Sequence, residues 1–229
     1  MNRLLDQLNS KKMCLIASLP ENSYELAKIA WEAGVDAVKV HVNVYHNASK
    51  NQFSSLKESK ELLARIIKDC PVPVGVVAGS DPLYSEQIMD ELIEMGFDFV
   101  SLFAHHTSAS FYLRDDINNF LSINSSYSFE EIKYISNSFF ADILELSIID
   151  KEDYGQRLNA RDLAKYEYIA SLTQSPTVVP SQKLIYASDI PVLYRTGIKG
   201  VMLGAVVFGK KPEVIKETIQ DFRREIDKL

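Results

Sequence analysis

The chain has 229 residues, of which 46% are hydrophobic and 24% charged, and a formal charge of −6. That composition excludes a disordered or collagen-like chain, and no apolar run is long enough for a bilayer-spanning helix. An acidic balance without a basic block argues against nucleic acid as a partner, because phosphate contacts need clustered Lys and Arg.

In chain order, residues 2–9 read as a short amphipathic helix. Asp6, Asn9, Ser10, Lys11 and Lys12 interrupt any apolar signal-peptide core over residues 1–20. Two cysteines, Cys14 and Cys70, are too few for a disulfide framework, which points to a reducing cytoplasm. Residues 13–18 form the first expected strand. The spacing Asn22…Glu25 then suits a capping box opening a helix that ends at Gly34, and the strand Ala37–Val42 follows. The sequence Ala30-Trp-Glu-Ala-Gly34-Val-Asp-Ala-Val-Lys-Val40 thus reads helix, glycine, strand. The same order returns over residues 92–102 around Gly96 and over residues 193–203 around Gly197. A glycine one step past a helix suits the left-handed conformation that a side chain disfavours.

Ser55…Glu58 caps the next helix, whose apolar period runs over residues 56–68. The strand Val74–Ala78, a helical period over residues 85–95 and the strand Phe99–Phe103 come next. Residues 120–124 are a fifth strand, Ser128…Glu131 is a third capping box, and residues 143–148 are a sixth strand. Thr177–Pro180, Gly200–Leu203 and a last helix opened by Pro212 complete the pattern. Eight alternating strands and helices without an internal linker predict an α/β chain of one domain over residues 1–229: a closed (β/α)8 TIM barrel with a short N-terminal helix at its bottom. A dinucleotide-binding open sheet would need a Gly-x-Gly-x-x-Gly turn after the first strand, where this chain has Ser18-Leu-Pro-Glu-Asn-Ser23.

Alternation along the strands assigns the barrel interior. Lys39, Ser101, Glu145 and Met202 form one layer, His41, Phe103, Ser147 and Gly204 the next, and Asn43, His105, Ile149 and Val206 the one above. Strand five adds Ser122 and Asn124. Barrel interiors normally hold Val, Ile and Leu, and buried charges are costly unless paired. This polar set at the C-terminal strand ends is therefore the main functional signal. Lys39 and Glu145 read either as a structural ion pair or as a proton-transfer pair. His41 and His105 belong with them, whereas His46 and His106 read as loop residues. Gly204 and Ala205 after strand eight, with Lys183 from the preceding loop, suit a phosphate group. The polar loops 43–54 and 150–159 are long enough to act as lids.

The stretches Pro71-Val-Pro-Val-Gly-Val-Val77, Asp90 to Leu102, Asn124-Ser-Ser-Tyr-Ser-Phe-Glu-Glu131 and Gly197-Ile-Lys-Gly-Val-Met-Leu-Gly-Ala205 resemble the ribulose-phosphate-binding barrel superfamily, and within it the N-acylmannosamine-6-phosphate 2-epimerase group. The resemblance implies a phosphosugar ligand and proton transfer beside a carbonyl. The chain departs from that group at its catalytic strand-three lysine, where Val77-Ala78-Gly79 stands, and at its acidic strand-five position, which is Asn124. The glycine of its strand-seven phosphate loop is also missing around Gln182-Lys183.

The leading expectation is an isomerase or epimerase acting on a small phosphorylated sugar, with no cofactor. Glu145 is its base, Lys39 and His105 polarise or protonate the substrate oxygens, and His41, Asn43, Asn124 and Ser147 bind substrate. Lys183, Gly204 and Ala205 hold the phosphate. Three alternatives stay open: a class I aldolase with a Schiff base on Lys39, a weakly supported metal set of His41, His105 and Glu145, and a non-catalytic phospholigand binder. A homodimer is left open.

Overall fold

The computed structural model of the chain describes residues 3–138 and 141–229. Eight parallel strands close into a barrel: β1 (Cys14–Ser18), β2 (Ala37–Val42), β3 (Val74–Ala78), β4 (Phe99–Phe103), β5 (Asn118–Asn124), β6 (Ile143–Ser147), β7 (Thr177–Pro180) and β8 (Gly200–Leu203). Each pairs with its sequence neighbours, and β1 closes on β8 with Cys14 beside Gly200. The helices are α1 (Arg3–Ser10), α2 (Tyr24–Ala33), α3 (Leu56–Asp69), α4 (Pro82–Met95), α5 (Phe129–Ser136), α6 (Ala160–Leu172), α7 (Ile190–Arg195), α8 (Ala205–Phe208) and α9 (Pro212–Ile226). Among the described residues no helix is long and apolar enough to cross a membrane.

The expected closed barrel with alternating helices is therefore the observed fold, with two local departures. Two 3₁₀ turns, Ala104–His106 and Ala109–Leu113, stand in place of an α-helix between β4 and β5. That segment lacks a 3.6-residue apolar period. Phe111 is buried in the large hydrophobic core, and Arg114 ties the segment to Asp90 of α4 and to Asp116. The second departure is at Asn22. Ser23, not Asn22, caps α2 by accepting from the Leu26 N–H. Asn22 instead grips both backbone groups of His41, its Nδ2 donating to the carbonyl at 2.6 Å and its Oδ1 accepting from the N–H at 3.1 Å. The Ser55–Glu58 and Ser128–Glu131 capping boxes form as expected. Of the expected first helix, residue 2 lies outside the described residues.

Inside the barrel, Cys14 and Ile16 of β1, Ala37, Phe99, Phe120, Ile143, Val178 and Met202 make a dry lower core. Leu4 and Leu8 of α1 join this core from below, so α1 plugs the barrel floor. Gly75 is a spatial requirement: a Cβ there would lie 2.0 Å from the Phe99 ring. A second, larger core fills the layer between strands and helices.

The recurring helix–glycine–strand unit has a purpose at this lower end. Gly34 and Gly96 end α2 and α4 in the left-handed conformation. Two residues later come Asp36 and Asp98. Asp36 Oδ2 accepts from the Leu15 N–H of β1 at 2.7 Å, and Asp98 Oδ2 from the Val74 N–H at 2.8 Å. Asp142, before β6, does the same for the Asn119 N–H of β5 at 2.8 Å. Each carboxylate holds the preceding odd-numbered strand in register with the following even-numbered one. The charges are met by cations: Arg3 of α1 makes a two-pronged pair with Asp98 at 2.7 Å on each arm, and Lys11 and Arg223 converge on Asp36.

Asp98→Ala removes the acceptor of a buried N–H and frees Arg3, so it should lower the unfolding free energy by about 2–3 kcal/mol. Urea denaturation of the variant against the parent chain measures this, and loss of less than about 1 kcal/mol would show that the carboxylate is not what fixes the β3–β4 register.

Candidate functional site

A cavity of about 590 Å³ opens at the C-terminal ends of the strands, the end at which barrel chemistry is found and within the usual range for a small-molecule site. Its floor is the layer directly above the dry core. Lys39 from β2 donates to Glu145 Oε2 from β6 at 2.8 Å, across the barrel. Ser101 of β4 donates to the same oxygen at 3.1 Å, and Ser147 donates to Oε1 at 2.8 Å. Both charged residues are buried, at 4% and 6% exposure. Burial works against the Glu145 carboxylate, but the Lys39 ammonium and the two hydroxyls outweigh it and hold its pKa below the ordinary value.

Above this pair sits His41, 1% exposed, with its Nε2 3.4 Å from Ser18 Oγ and its Nδ1 without a hydrogen-bond partner among the described residues. Its ring stacks on Phe53 at 4.5 Å and lies 4.7 Å from His46. Phe53 and His46 come from the loop after β2, which folds into a short antiparallel ribbon of Tyr45–His46 against Asn51–Gln52. Asn43 and Lys50 take left-handed backbone conformations, φ 48° and 50°, to close this ribbon. His46 Nδ1 lies 2.8 Å from Ser49 Oγ. Burial, then His46 and Lys39, drive the His41 pKa well below normal; burial and then Lys39 push His46 down to about 4. Both imidazoles are neutral at pH 7.

The expected site residues divide clearly. Lys39, His41, His105, Asn124, Glu145, Ser147 and Gly204 all line the cavity, as do Ser101, Phe103, Ser122, Ile149 and Met202. His105 stands at the rim, exposed, in the 3₁₀ turn after β4. Asn124 spends its Oδ1 on Ser126, accepting from both the N–H and the hydroxyl, and so shapes the loop after β5.

Three placements are corrected. Asn43 is exposed and outside the cavity lining, because its left-handed φ turns the chain out of the strand into the ribbon. Lys183 also lies outside the lining: it is 2% exposed, with its ammonium 3.5 Å from Asp153 and 3.9 Å from Asp162. Those two carboxylates hold its ammonium outside the cavity lining. Ala205 lies beyond the lining as well, in the first position of α8, while the Gly204 N–H is already taken by Ser181 Oγ at 2.8 Å. His41, His105 and Glu145 do not converge. Among the described residues no group of three or more His, Cys, Asp or Glu is placed to hold a metal ion.

Sequence reasoning missed His46, Ser181, Gln182 and Tyr154, which all line the cavity. Gln182 was reachable, because extending the inward alternation from Val178 through Pro180 arrives at it. Its Nε2 donates to the Tyr154 hydroxyl at 2.6 Å and its Oε1 accepts from the Ile149 N–H at 3.2 Å, tying the loops after β6 and β7 together. His46 had no readable signal, since a ribbon held by two left-handed non-glycine residues leaves no periodicity. Parts of both expected lid loops, residues 44–48, 150–152 and 154, form cavity wall.

No protein-family model matches the chain. The fold is similar to thiamine phosphate pyrophosphorylase from Pyrococcus furiosus, at 14% identity and a TM-score of 0.66 over 95% of this chain and 97% of that one. It is similar to phosphoribosylanthranilate isomerase from Thermotoga maritima, at 15% identity and a TM-score of 0.61 over 95% and 100%. The tryptophan synthase complex from Pyrococcus furiosus gives 13% identity and a TM-score of 0.70 over 92% and 98%. Likeness at these identities shows a shared barrel fold.

Two outcomes follow from the histidines. His41→Phe keeps the stack on Phe53 and removes the orphaned nitrogen, so the unliganded protein should gain about 1 kcal/mol in chemical denaturation. Acidification should act in the opposite direction. In the unfolded chain His41 and His46 take up protons near 6.5, whereas in the folded chain they stay neutral to much lower pH, His46 to about 4. Stability is therefore full above pH 6.5 and falls as pH drops toward 4. The paired variant His41→Phe, His46→Phe should flatten that decline, measured as urea midpoints between pH 7.5 and pH 4.5.

Proposed function

We propose that the protein is an isomerase or epimerase that moves a proton beside the carbonyl of a small phosphorylated sugar. The observation that carries this reading is the buried Lys39–Glu145 pair at 2.8 Å on the floor of an open cavity, with a hydroxyl on each carboxylate oxygen. Glu145 is held ionised and can accept a proton. Lys39 is a fixed donor that can meet the oxygen on which charge develops.

In the proposed step the Glu145 carboxylate takes the proton from the carbon next to the carbonyl. The C–H electron pair becomes the new C=C bond, and the carbonyl oxygen, now an enediolate oxygen, receives the Lys39 hydrogen bond. As Lys39 turns toward that oxygen, Glu145 loses its strongest stabilising partner and its proton affinity rises when a base is needed. Delivery of the proton to the former carbonyl carbon, with the hydroxyl proton passing from the neighbouring oxygen to the old carbonyl oxygen, isomerises the sugar; protonation of the original carbon from the opposite face, by solvent, while Glu145 keeps the abstracted proton, epimerises it. His105 at the rim and His41 in the wall supply neutral polar contacts to the sugar. Ser18 and Ser122 line the same cavity and offer hydroxyls that both donate and accept, as a polyol requires, while Asn124 adds its amide Nδ2 as a donor.

The phosphate is assigned to the Gly204 end of the cavity, with the Ser181 hydroxyl as a donor and no part for Lys183 or Ala205. Two barrels of similar fold are named for phosphate-bearing compounds, the phosphoribosylanthranilate isomerase and the thiamine phosphate pyrophosphorylase, and the sequence stretches quoted above carry the resemblance to ribulose-phosphate-binding barrels. Val77 and Gly79 occupy the position of the epimerase group's strand-three lysine and line the cavity. In this reading Lys39 supplies the missing cation from the neighbouring strand. A second reading, a class I aldolase, is favoured by the burial of Lys39, and requires the amine to pass its proton to Glu145 before attacking a carbonyl.

The test is hydrogen–deuterium exchange. Aldose and ketose phosphates incubated with the protein in D2O should exchange the hydrogen beside the carbonyl, followed by proton NMR. Glu145→Gln, shown to be folded by circular dichroism, should slow exchange by roughly 10³-fold. Equal exchange in the variant would remove Glu145 as base. Binding with no exchange by any sugar phosphate would favour a non-catalytic binder. A borohydride-stable adduct on Lys39 would favour the aldolase.

A further inference from the structure

The rim histidine has an environment that the mechanism above does not explain. The Tyr127 hydroxyl, from the loop between β5 and α5, lies 2.6 Å from His105 Nδ1 and 3.1 Å from the His105 backbone nitrogen. The ring is also fixed on its faces and edge: it stacks on Phe103 at 5.4 Å with a 19° interplanar angle, and it meets His106 edge-on at 4.2 Å. A histidine exposed at the mouth of a cavity would ordinarily sample several rotamers and both neutral tautomers.

A phenol has one proton to give and two lone pairs to receive with. The backbone N–H of His105 can only donate, so it uses one lone pair of the Tyr127 oxygen. Among the described residues the other hydrogen bond of this hydroxyl is the contact to Nδ1. If Nδ1 carried a proton, it would use the second lone pair, and the phenolic proton would have no acceptor among the described residues and would have to turn out to solvent at this exposed rim. If Nδ1 is bare, the phenol donates to it, and every group in the triangle is satisfied. Burial raises the Tyr127 pKa, so the phenol keeps its proton. Burial lowers the His105 pKa, so the ring is neutral at pH 7.

We propose that Tyr127 is a positioning residue that fixes His105 as the Nε2–H tautomer, so that His105 meets a substrate oxygen as a neutral hydrogen-bond donor and not as a base. This rests on the proton-transfer reading for its purpose but not for its geometry. It separates the roles within the cavity: Glu145 accepts the proton, Lys39 is the charged donor, and His105 is the uncharged one, unable to compete with Glu145 for the substrate hydrogen.

The tautomer can be read on the unliganded protein, with no substrate required. Long-range proton–nitrogen correlation spectra of 15N-labelled protein, with His105→Gln to assign the signals, should show a bare, hydrogen-bonded Nδ1 and a protonated Nε2 on His105. In Tyr127→Phe the Nδ1 shift should move to that of an unbonded nitrogen or to a mixture of tautomers. A proton on Nδ1 in the parent chain, or an unchanged Nδ1 shift in Tyr127→Phe, overturns the proposal whatever the reaction is. With a sugar phosphate that exchanges in the assay above, Tyr127→Phe should lower kcat roughly tenfold with KM nearly unchanged. Altered nitrogen shifts with kcat intact would overturn the positioning role while leaving the assignment of Glu145 untouched. Loss of exchange in Glu145→Gln with no effect of Tyr127→Phe on either readout would likewise sink this inference alone.

Discussion

The buried Lys39–Glu145 pair is the constraint around which the upper half of the molecule is arranged. Two charges taken out of water are tolerated only when they meet in good geometry and their remaining hydrogen-bonding capacity is used. β2 and β6 lie on opposite sides of the barrel, so only full closure brings these side chains to 2.8 Å. Ser101 and Ser147 then occupy the other acceptor sites of the carboxylate. Beneath the pair, the interior is dry and plugged by Leu4 and Leu8; above it, the wall is hydroxyl, amide and imidazole. The pair is the boundary between an apolar core and a polar, open cavity.

That boundary governs the charge of everything near it. His41 and His46 both stay neutral because burial and the Lys39 ammonium disfavour a second positive charge. Lys183, the other buried ammonium of this region, is drawn to Asp153 and Asp162 outside the cavity. Lys39 is therefore the one buried cation facing the cavity among the described residues, and its countercharge is the group proposed to act as base. An electrostatic field set by a single pair is simple to perturb: a substrate oxygen that takes the Lys39 hydrogen bond changes the basicity of Glu145 directly.

The fold was legible because its information is local and repeated. Gly34 and Gly96, each followed two residues later by an aspartate, mark helix ends and strand starts, and those aspartates turn out to bond the neighbouring strand. The third glycine, Gly197, is followed by Lys199, which uses only its backbone there, with its N–H donating to the Thr177 carbonyl and its C=O accepting from the Cys14 N–H. Period-two alternation correctly grouped Lys39, Ser101 and Glu145, since inside a strand the face of one residue fixes the face of the next. It failed where the strand ended. Asn43 leaves the alternation because its φ is positive. Lys183, expected at the phosphate from its loop and not from alternation, is held instead by two acidic side chains distant in sequence from it. His46 enters the cavity through a ribbon whose turn no sequence periodicity encodes. Loop geometry and long-range charge pairing are properties of the assembled barrel, which no single segment carries.

The two ends of the barrel also differ in what meets their polar groups. At the lower end, Asp36, Asp98 and Asp142 each accept from a strand N–H, and Asp36 and Asp98 are in addition neutralised by Lys11, Arg223 and Arg3. At the upper end, His41 Nδ1 is buried without a partner, and Asn43 and Lys50 hold left-handed backbone conformations that cost energy for residues other than glycine. An orphaned buried nitrogen is a deficit that a ligand atom can remove on binding. The same ribbon that carries the strained residues places Phe53 and His46 against that histidine, so the strain and the unmet hydrogen bond belong to one device. A chain selected for stability alone would carry an apolar side chain at position 41. The lower end, tied and neutralised, supplies the stability that lets the upper end keep an unpaired nitrogen, a buried ion pair and an open cavity.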